Sequence, residues 1–229
     1  MICMQVCARG EWRSLKKILG NTEVEIKTYP FGEYIRCMIK DKECIFFHSG
    51  ATKTRSSAAC QYAIDNWEAE IIIVLGTCGG VDTRLKTLDV VIADKTAQYD
   101  CIDRMGNEPY VFYEEFVTSI DNSWINLNEF KERIWQGTIA TADQDVNYEV
   151  MKMLQKEQVL CADWESGAIA YICRLNQVRC CIVRGITDIP VEEVQKSAIS
   201  QGTDYRSNTP KVMEKLIEEI LPILIRCLG

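Results

Sequence analysis

Histidine is almost absent from this chain: among 229 residues only His48 carries an imidazole. That scarcity argues against nucleophilic machinery built on a Ser–His or Cys–His pair. His48 closes the apolar run 44–47 and reads as a structural strand-end residue. Cysteine is plentiful, at twelve, but no two cysteines have C-x-x-C spacing. With one histidine, no cluster offers the close ligands of a zinc site, so no metal is expected. Most of the cysteines lie in apolar runs, where a free thiol behaves as a small hydrophobe, and a reducing cytoplasm is the natural setting. No apolar run approaches the roughly 20 residues that span a bilayer, so no membrane partner is expected. Residues 1–11 lack a basic segment followed by a long apolar core, and no signal peptide is read there. Basic clusters are lacking as well. The balance of 26 Lys and Arg against 33 Asp and Glu gives a net charge of −7, which disfavours nucleic acid as a partner. Neither G-x-G-x-x-G nor G-x-x-x-x-G-K-[ST] occurs, so no dinucleotide or nucleotide-phosphate cofactor is expected.

What is present suits one α/β domain spanning 1–229: 47% hydrophobic and 26% charged residues, with no linker-like stretch. A strand is expected at 2–7, then a helix from 11 or 12 to 19 closed by Gly20. Strands at 23–28, 33–39 and 43–47, separated by short turns, form an antiparallel meander. A helix over 53–67 precedes the continuous apolar run 70–75, the pattern of a strand buried on both faces. Residues 76–80, Gly-Thr-Cys-Gly-Gly, read as a glycine turn that lets backbone approach a ligand. Further on, strands are expected at 88–93 (continuing through 96–101), 137–141, 159–162 and 180–186. Helices are expected at 127–134, at 147–155, after Glu165, in a short element at 191–197, and from Pro210 to 228. Pro210 suits a first turn, and Pro222 should kink that last helix. The irregular stretch 103–122 holds Tyr110, Phe112, Tyr113 and Phe116, which suit a pocket wall, a subunit contact or plain packing.

Carboxylates recur where strands end. Glu165 follows the run 159–162 and starts a helix; Asp188 ends the run 180–186, shortly before Pro190; Glu11 follows the first strand. A strand–acid–helix–strand–acid unit over 161–190 puts Glu165 and Asp188 at equivalent ends of neighbouring strands, where open α/β sheets bind ligands. Helix capping accounts for each acid singly; a shared pocket accounts for all of them.

Ala162-Asp-Trp-Glu-Ser-Gly-Ala-Ile-Ala170 resembles the "MESAAIA" segment of the purine nucleoside phosphorylase superfamily. Arg184-Gly-Ile-Thr-Asp188 resembles the "RAISD" segment of its 5′-methylthioadenosine/S-adenosylhomocysteine nucleosidase branch. Residues 76–80 look like the family's glycine turn, 48–53 like its "SGIGK" turn, and 88–94 like its "GDIVVSD" strand. Five motifs in the right order cover nearly the whole chain. The resemblance implies a three-layer α/β/α fold with a mixed, partly barrel-like central sheet, a homodimer, and cleavage of the N-glycosidic bond of an adenine nucleoside without a cofactor. It further implies Glu165 as the clamp on the ribose hydroxyls, with Trp164 beside it. Asp188 becomes the acid or hydrogen-bond partner at adenine N7, and Glu11 the base that orients and deprotonates the attacking water. Val146 falls where the family's backbone meets the purine, and Ala51 and Thr77 fall in the two substrate-facing turns.

Four departures qualify the transfer. Trp164 replaces the family's Met, Asp145 stands about where an aromatic stacks on adenine, and 189–210 and 103–116 match poorly. Two rival readings remain. A phosphorylase would carry a Gly-x-Pro-x-Arg-like loop, where this chain has Cys7-Ala-Arg-Gly-Glu-Trp-Arg13, although Arg9, Arg13 and Arg55 supply cations. A catalytically silent nucleoside-binding protein would have no need of Glu11.

Overall fold

The computed structural model describes residues 1–20, 24–102, 114–189 and 198–229. Its centre is two strands, β5 (Ile71–Gly80) and β10 (Arg179–Asp188), paired in parallel with Arg184 opposite Gly76. Both are buried on both faces for most of their length, which is why they read as unbroken apolar runs. β10 also pairs antiparallel with β6 (Val90–Gln98). From β6 the sheet passes in parallel to β8 (Ile134–Thr141) and β9 (Val159–Asp163), and β9 returns antiparallel to β5. β5, β10, β6, β8 and β9 therefore close into a five-stranded barrel, as the resemblance implies. The sheet continues outward from β5 through β1 (Ile2–Val6), β4 (Lys42–His48), β3 (Gly32–Ile39) and β2 (Ile26–Tyr29). The last three form the expected antiparallel meander. Short β7 (Val117–Ser119) pairs with β6.

Alternation along the strands divides the core into layers. Ile73 and Val183 point to one side, where α1 (Arg9–Leu19) and the C-terminal helices bring Leu15, Met213, Leu216 and Leu224. Ile72 and Ile182 point to the other, against α2 (Lys53–Trp67) and α4 (Ser166–Leu175), which bring Ala59, Ala63 and Ile169. α3 (Tyr148–Lys156) closes a smaller cluster beside β9.

The structure departs from the sequence expectations in three places. Residues 76–80 are not a turn but the second half of β5, laddered to β9 and β10. Glycine is needed there for close approach within a strand: a Cβ on Gly76 would lie 2.2 Å from Arg184 Nη1 and 2.7 Å from Glu11 Oε1. The helix expected at 127–134 shrinks to one 3₁₀ turn, Leu127–Glu129, because Ile134 and Trp135 are drawn into β8 beside β6. The last helix begins well before Pro210: α5 spans Ala198–Lys215 with the proline inside. Pro210 and Arg206, whose carbonyl loses its i+4 donor, are both exposed, so the freed carbonyl faces solvent rather than the core. At Pro222 the kink is absorbed by a π turn, Leu216–Ile220. Leu221 N–H reaches back to Leu216, and Pro222 sits in the first turn of α6 (Leu221–Cys227). The short element expected at 191–197 and the aromatics Tyr110, Phe112 and Tyr113 lie outside the described residues. Phe116 packs its ring against Tyr171.

Candidate active site

Glu11 enters the barrel end from the first turn of α1. That helix starts at Ala8, which has no side-chain acceptor, so Glu11 Oε2 takes the Ala8 N–H at 2.8 Å as half of a capping box. Its other oxygen, Oε1, accepts from the Thr77 backbone N–H at 2.6 Å and from Thr77 Oγ1 at 2.7 Å. Capping thus occupies one oxygen, and β5 holds the other toward the site.

Glu165 stands at the N-terminus of α4 but makes no capping bond. Asp163 does that work. Its Oδ1 accepts from Ser166 N–H at 3.0 Å, Glu165 N–H at 3.2 Å and Thr141 Oγ1 at 2.7 Å, and its Oδ2 bonds Ser166 Oγ. The Glu165 carboxylate is left free to meet Thr52 N–H at 3.4 Å, directly after Ala51, and Arg184 Nη2 at 3.2 Å.

Arg184 ties the group together. It is fully buried, with Nε 2.7 Å from Asp163 Oδ2, Nη2 on Glu165 and Nη1 3.9 Å from Glu11 Oε1. Nη1 has no hydrogen-bond partner among the described residues. One guanidinium facing three buried carboxylates leaves excess negative charge. Burial first, and then Asp163 and Glu11 against the opposing pull of Arg184, push Glu165 up to about 8. Tyr205 of α5 reaches the same corner and hydrogen-bonds Thr77; burial and the charges of Glu11 and Glu165 push its phenol up to about 12. Tyr205 also lines a cleft of about 500 Å3 between α1 and α5, with Gly10, Arg13, Lys17 and Thr209.

Asp188 lies four residues farther along β10, roughly 13 Å at strand rise. It sits opposite Gly79, past a register shift after Ile186. Thr187 Oγ1 donates to its Oδ1 at 2.7 Å. Burial raises its pKa, Thr187 opposes, and the charges of Asp204 and Asp145 add to the rise.

The structure therefore brings Glu11, Thr77 and Glu165 together around Arg184, and puts Asp188 on the same strand. Trp164 is partly exposed between Asp163 and Glu165, and Val146 packs at the edge of the α3 cluster. Of the arginines that supply cations for phosphate, Arg9, Arg13 and Arg55 are all exposed, and Arg55 is bonded to the Phe31 carbonyl at 3.1 Å. Sequence reasoning gave no role to Arg184, Asp163, Ser166 or Tyr205. A signal for the first was present: an arginine inside the run 180–186 must be buried, and a buried guanidinium requires carboxylates.

Known proteins resemble this chain over most of its length. The chain is 27% identical over 170 residues to the 5′-methylthioadenosine/S-adenosylhomocysteine nucleosidase of Tolumonas auensis, covering 69% of this chain and 73% of that one. It is 25% identical over 177 residues to the aminodeoxyfutalosine nucleosidase of Campylobacter jejuni, covering 73% and 75%. The fold matches the structure of the S. pneumoniae 5′-methylthioadenosine/S-adenosylhomocysteine nucleosidase at a TM-score of 0.80, 18% identity and full coverage of both chains. Residues 6–223 match the phosphorylase superfamily as a family, and the chain belongs to it.

Proposed function

We propose that this protein hydrolyses the N-glycosidic bond of an adenine nucleoside of the 5′-methylthioadenosine/S-adenosylhomocysteine kind, releasing adenine. The observation that carries the reading is the division of labour along β10, with a carboxylate cluster around Arg184 at one point and a raised, lightly bonded Asp188 at the other. Adenine leaves poorly as an anion and more readily once N7 is protonated. Burial holds a proton on Asp188 to higher pH than on a free carboxyl, and that proton goes to N7 as the bond breaks. The sugar left behind is oxocarbenium-like. Glu165 accepts hydrogen bonds from the ribose hydroxyls, and Glu11, held by Thr77 and Ala8, takes the proton of the attacking water. Arg184 Nη1, with a donor to spare beside Glu11 Oε1, orients that water. Trp164, Val146 and Ala51 belong to the walls around base and sugar.

Phosphorolysis is disfavoured by charge. An inorganic phosphate beside Glu11 would meet the charges of Glu11 and Asp163 with, among the described residues, Arg184 alone to offset them. The test is adenine release from a panel of 5′-substituted adenosines and inosine, with and without phosphate. Release of adenine in phosphate-free buffer supports hydrolysis, strict phosphate dependence overturns it, and tight binding without release makes the protein a nucleoside binder. The homodimer implied by the resemblance and the cytoplasmic setting read from the free cysteines belong to the same proposal, and the molar mass in solution checks the assembly.

A further inference from the structure

Helix α5 meets β10 through an apolar and a polar side chain on one helix face. Val212, buried, fills the space that a side chain on Gly185 would need. One turn earlier, Asn208 Nδ2 donates to the Thr187 carbonyl at 2.9 Å. Four residues of helix and two of strand rise by nearly the same distance, about 6 Å and about 7 Å, so Val212 against Gly185 sets the height at which Asn208 meets Thr187. Propensity does not account for Asn208. It stands inside a helix, two residues before Pro210, and the stretch 204–210 is rich in weak helix formers. Thr187, in turn, is where β10 leaves its register. From Arg179 to Ile186 every residue has a partner on β5; the pairing then shifts, so that Asp188 rather than Thr187 lies opposite Gly79. Such a bulge re-aims the side chain that follows it. Thr187 Oγ1 donates to Asp188 Oδ1 at 2.7 Å and lies 3.3 Å from the Cys78 carbonyl.

We propose that Asn208 is a positioning residue for Asp188, its amide fixing the Thr187–Asp188 peptide and so the direction in which the acid presents its proton. The inference rests on the acid role given to Asp188 in the proposed reaction. Among the described residues only Thr187 engages the Asp188 carboxylate, so the aim of that carboxylate depends on how Thr187 is held. The carbonyl that Asn208 takes belongs to the peptide joining the two residues. Without the Nδ2–H bond the bulge turns, Thr187 Oγ1 swings from Asp188 Oδ1 to the Cys78 carbonyl, and the acid leaves the line to the purine nitrogen. Binding of the nucleoside is untouched by that change, so the loss falls on kcat rather than on KM.

The experiment follows adenine release from 5′-methylthioadenosine in phosphate-free buffer by the full chain, as wild type, N208L, D188N and the double variant. Single turnover gives the chemical step and steady state gives KM. Leucine keeps the volume of asparagine and removes the donor. N208L should slow the single-turnover rate by about 10–100-fold, the size of effect that a misplaced catalytic group produces, with KM changed by less than about twofold. The double variant should be no slower than D188N, because an amide at 188 has no proton to misdirect. If N208L does not fold, N208S, too short to reach the carbonyl, takes its place. A wild-type rate in N208L, a rise in KM alone, or an N208L penalty that persists undiminished in the D188N background would overturn the proposal, the last by showing a general loosening of the fold. Wild type that releases no adenine overturns the hydrolase reading itself and the positioning role with it, an outcome separate from all of those seen in the variants.

Discussion

Two points on one strand, Arg184 and Asp188, are built in opposite ways. Arg184 is fully buried and engaged by Asp163 and Glu165, with Glu11 close by, and each of those acids is held in turn by backbone or hydroxyl donors. Asp188 is partly exposed and, among the described residues, takes one hydrogen bond, from the neighbouring Thr187. The dense end resists rearrangement, which suits the sugar-clamping and water-holding roles proposed for its acids. The sparse end leaves a carboxyl that, among the described residues, only Thr187 engages, and burial favours its protonated form. In the proposed reaction, preorganisation and proton transfer fall on separate stretches of the same β-strand.

The comparison breaks most sharply at Asp188. Asp188→Asn should lower kcat for adenine release by about 10²–10⁴-fold, the usual size for a positioned acid, with unfolding by urea unchanged within about 0.5 kcal/mol. Retention of more than about a tenth of the wild-type rate would contradict the acid role. The dense end should fail in the other currency. Arg184→Met leaves three buried carboxylates without their cation, and the urea midpoint should drop by the equivalent of about 3–5 kcal/mol. A loss under about 1 kcal/mol would mean the cluster is already neutral in the folded protein.

How far these two regions could be read from sequence follows from the same contrast. The acids were legible because Glu11, Glu165 and Asp188 each stand where an apolar run gives way to polar residues. The barrel strands were legible where both faces are buried, as in 70–75 and 180–186. The network between the acids was not, because it joins β5, β9, α1 and β10 at separations that no local pattern records. The second half of β5 was misread for a related reason. Glycines at 76, 79 and 80 signal a turn in isolation, yet at Gly76 the side chain is missing because Arg184 and Glu11 occupy its space. The expected helix at 127–134 failed likewise, since pairing with β6 outweighs the helical preference of a charged, amphipathic stretch.

Charge at the dense end gives a prediction in pH. Glu165 holds its proton to about 8 in the folded chain but only to about 4.5 when unfolded. Between those values the folded state binds more protons, so this group's contribution is full below about 4.5 and is lost as pH rises toward 8. Asp188 has the same sign. Glu165→Gln should therefore flatten the decline in stability between pH 5 and 8, by on the order of 3–4 kcal/mol in denaturant unfolding. Parallel wild-type and variant curves would show that Glu165 is ionised in the fold.

Two glycines of β5 set the packing of the two ends against each other. A methyl group on Gly76 would lie 2.2 Å from Arg184 Nη1, 2.7 Å from Glu11 Oε1 and 3.0 Å from Glu11 Cδ, and nothing there can yield without breaking an ion pair or the Thr77 bonds. Among the described residues, a methyl group on Gly79 would meet only Asp188 Oδ2, at an ordinary 3.6 Å. Gly76→Ala should cost about 1–3 kcal/mol of stability, as overpacking does, and displace Glu11 enough to lower kcat. Gly79→Ala should cost under about 1 kcal/mol and leave the fold intact, so any change in turnover there reports on Asp188 alone. Equal losses of stability in the two variants would show that the ends of the site are packed alike, and the separation of a rigid clamp from a loosely held acid would have no basis in the strand that carries both.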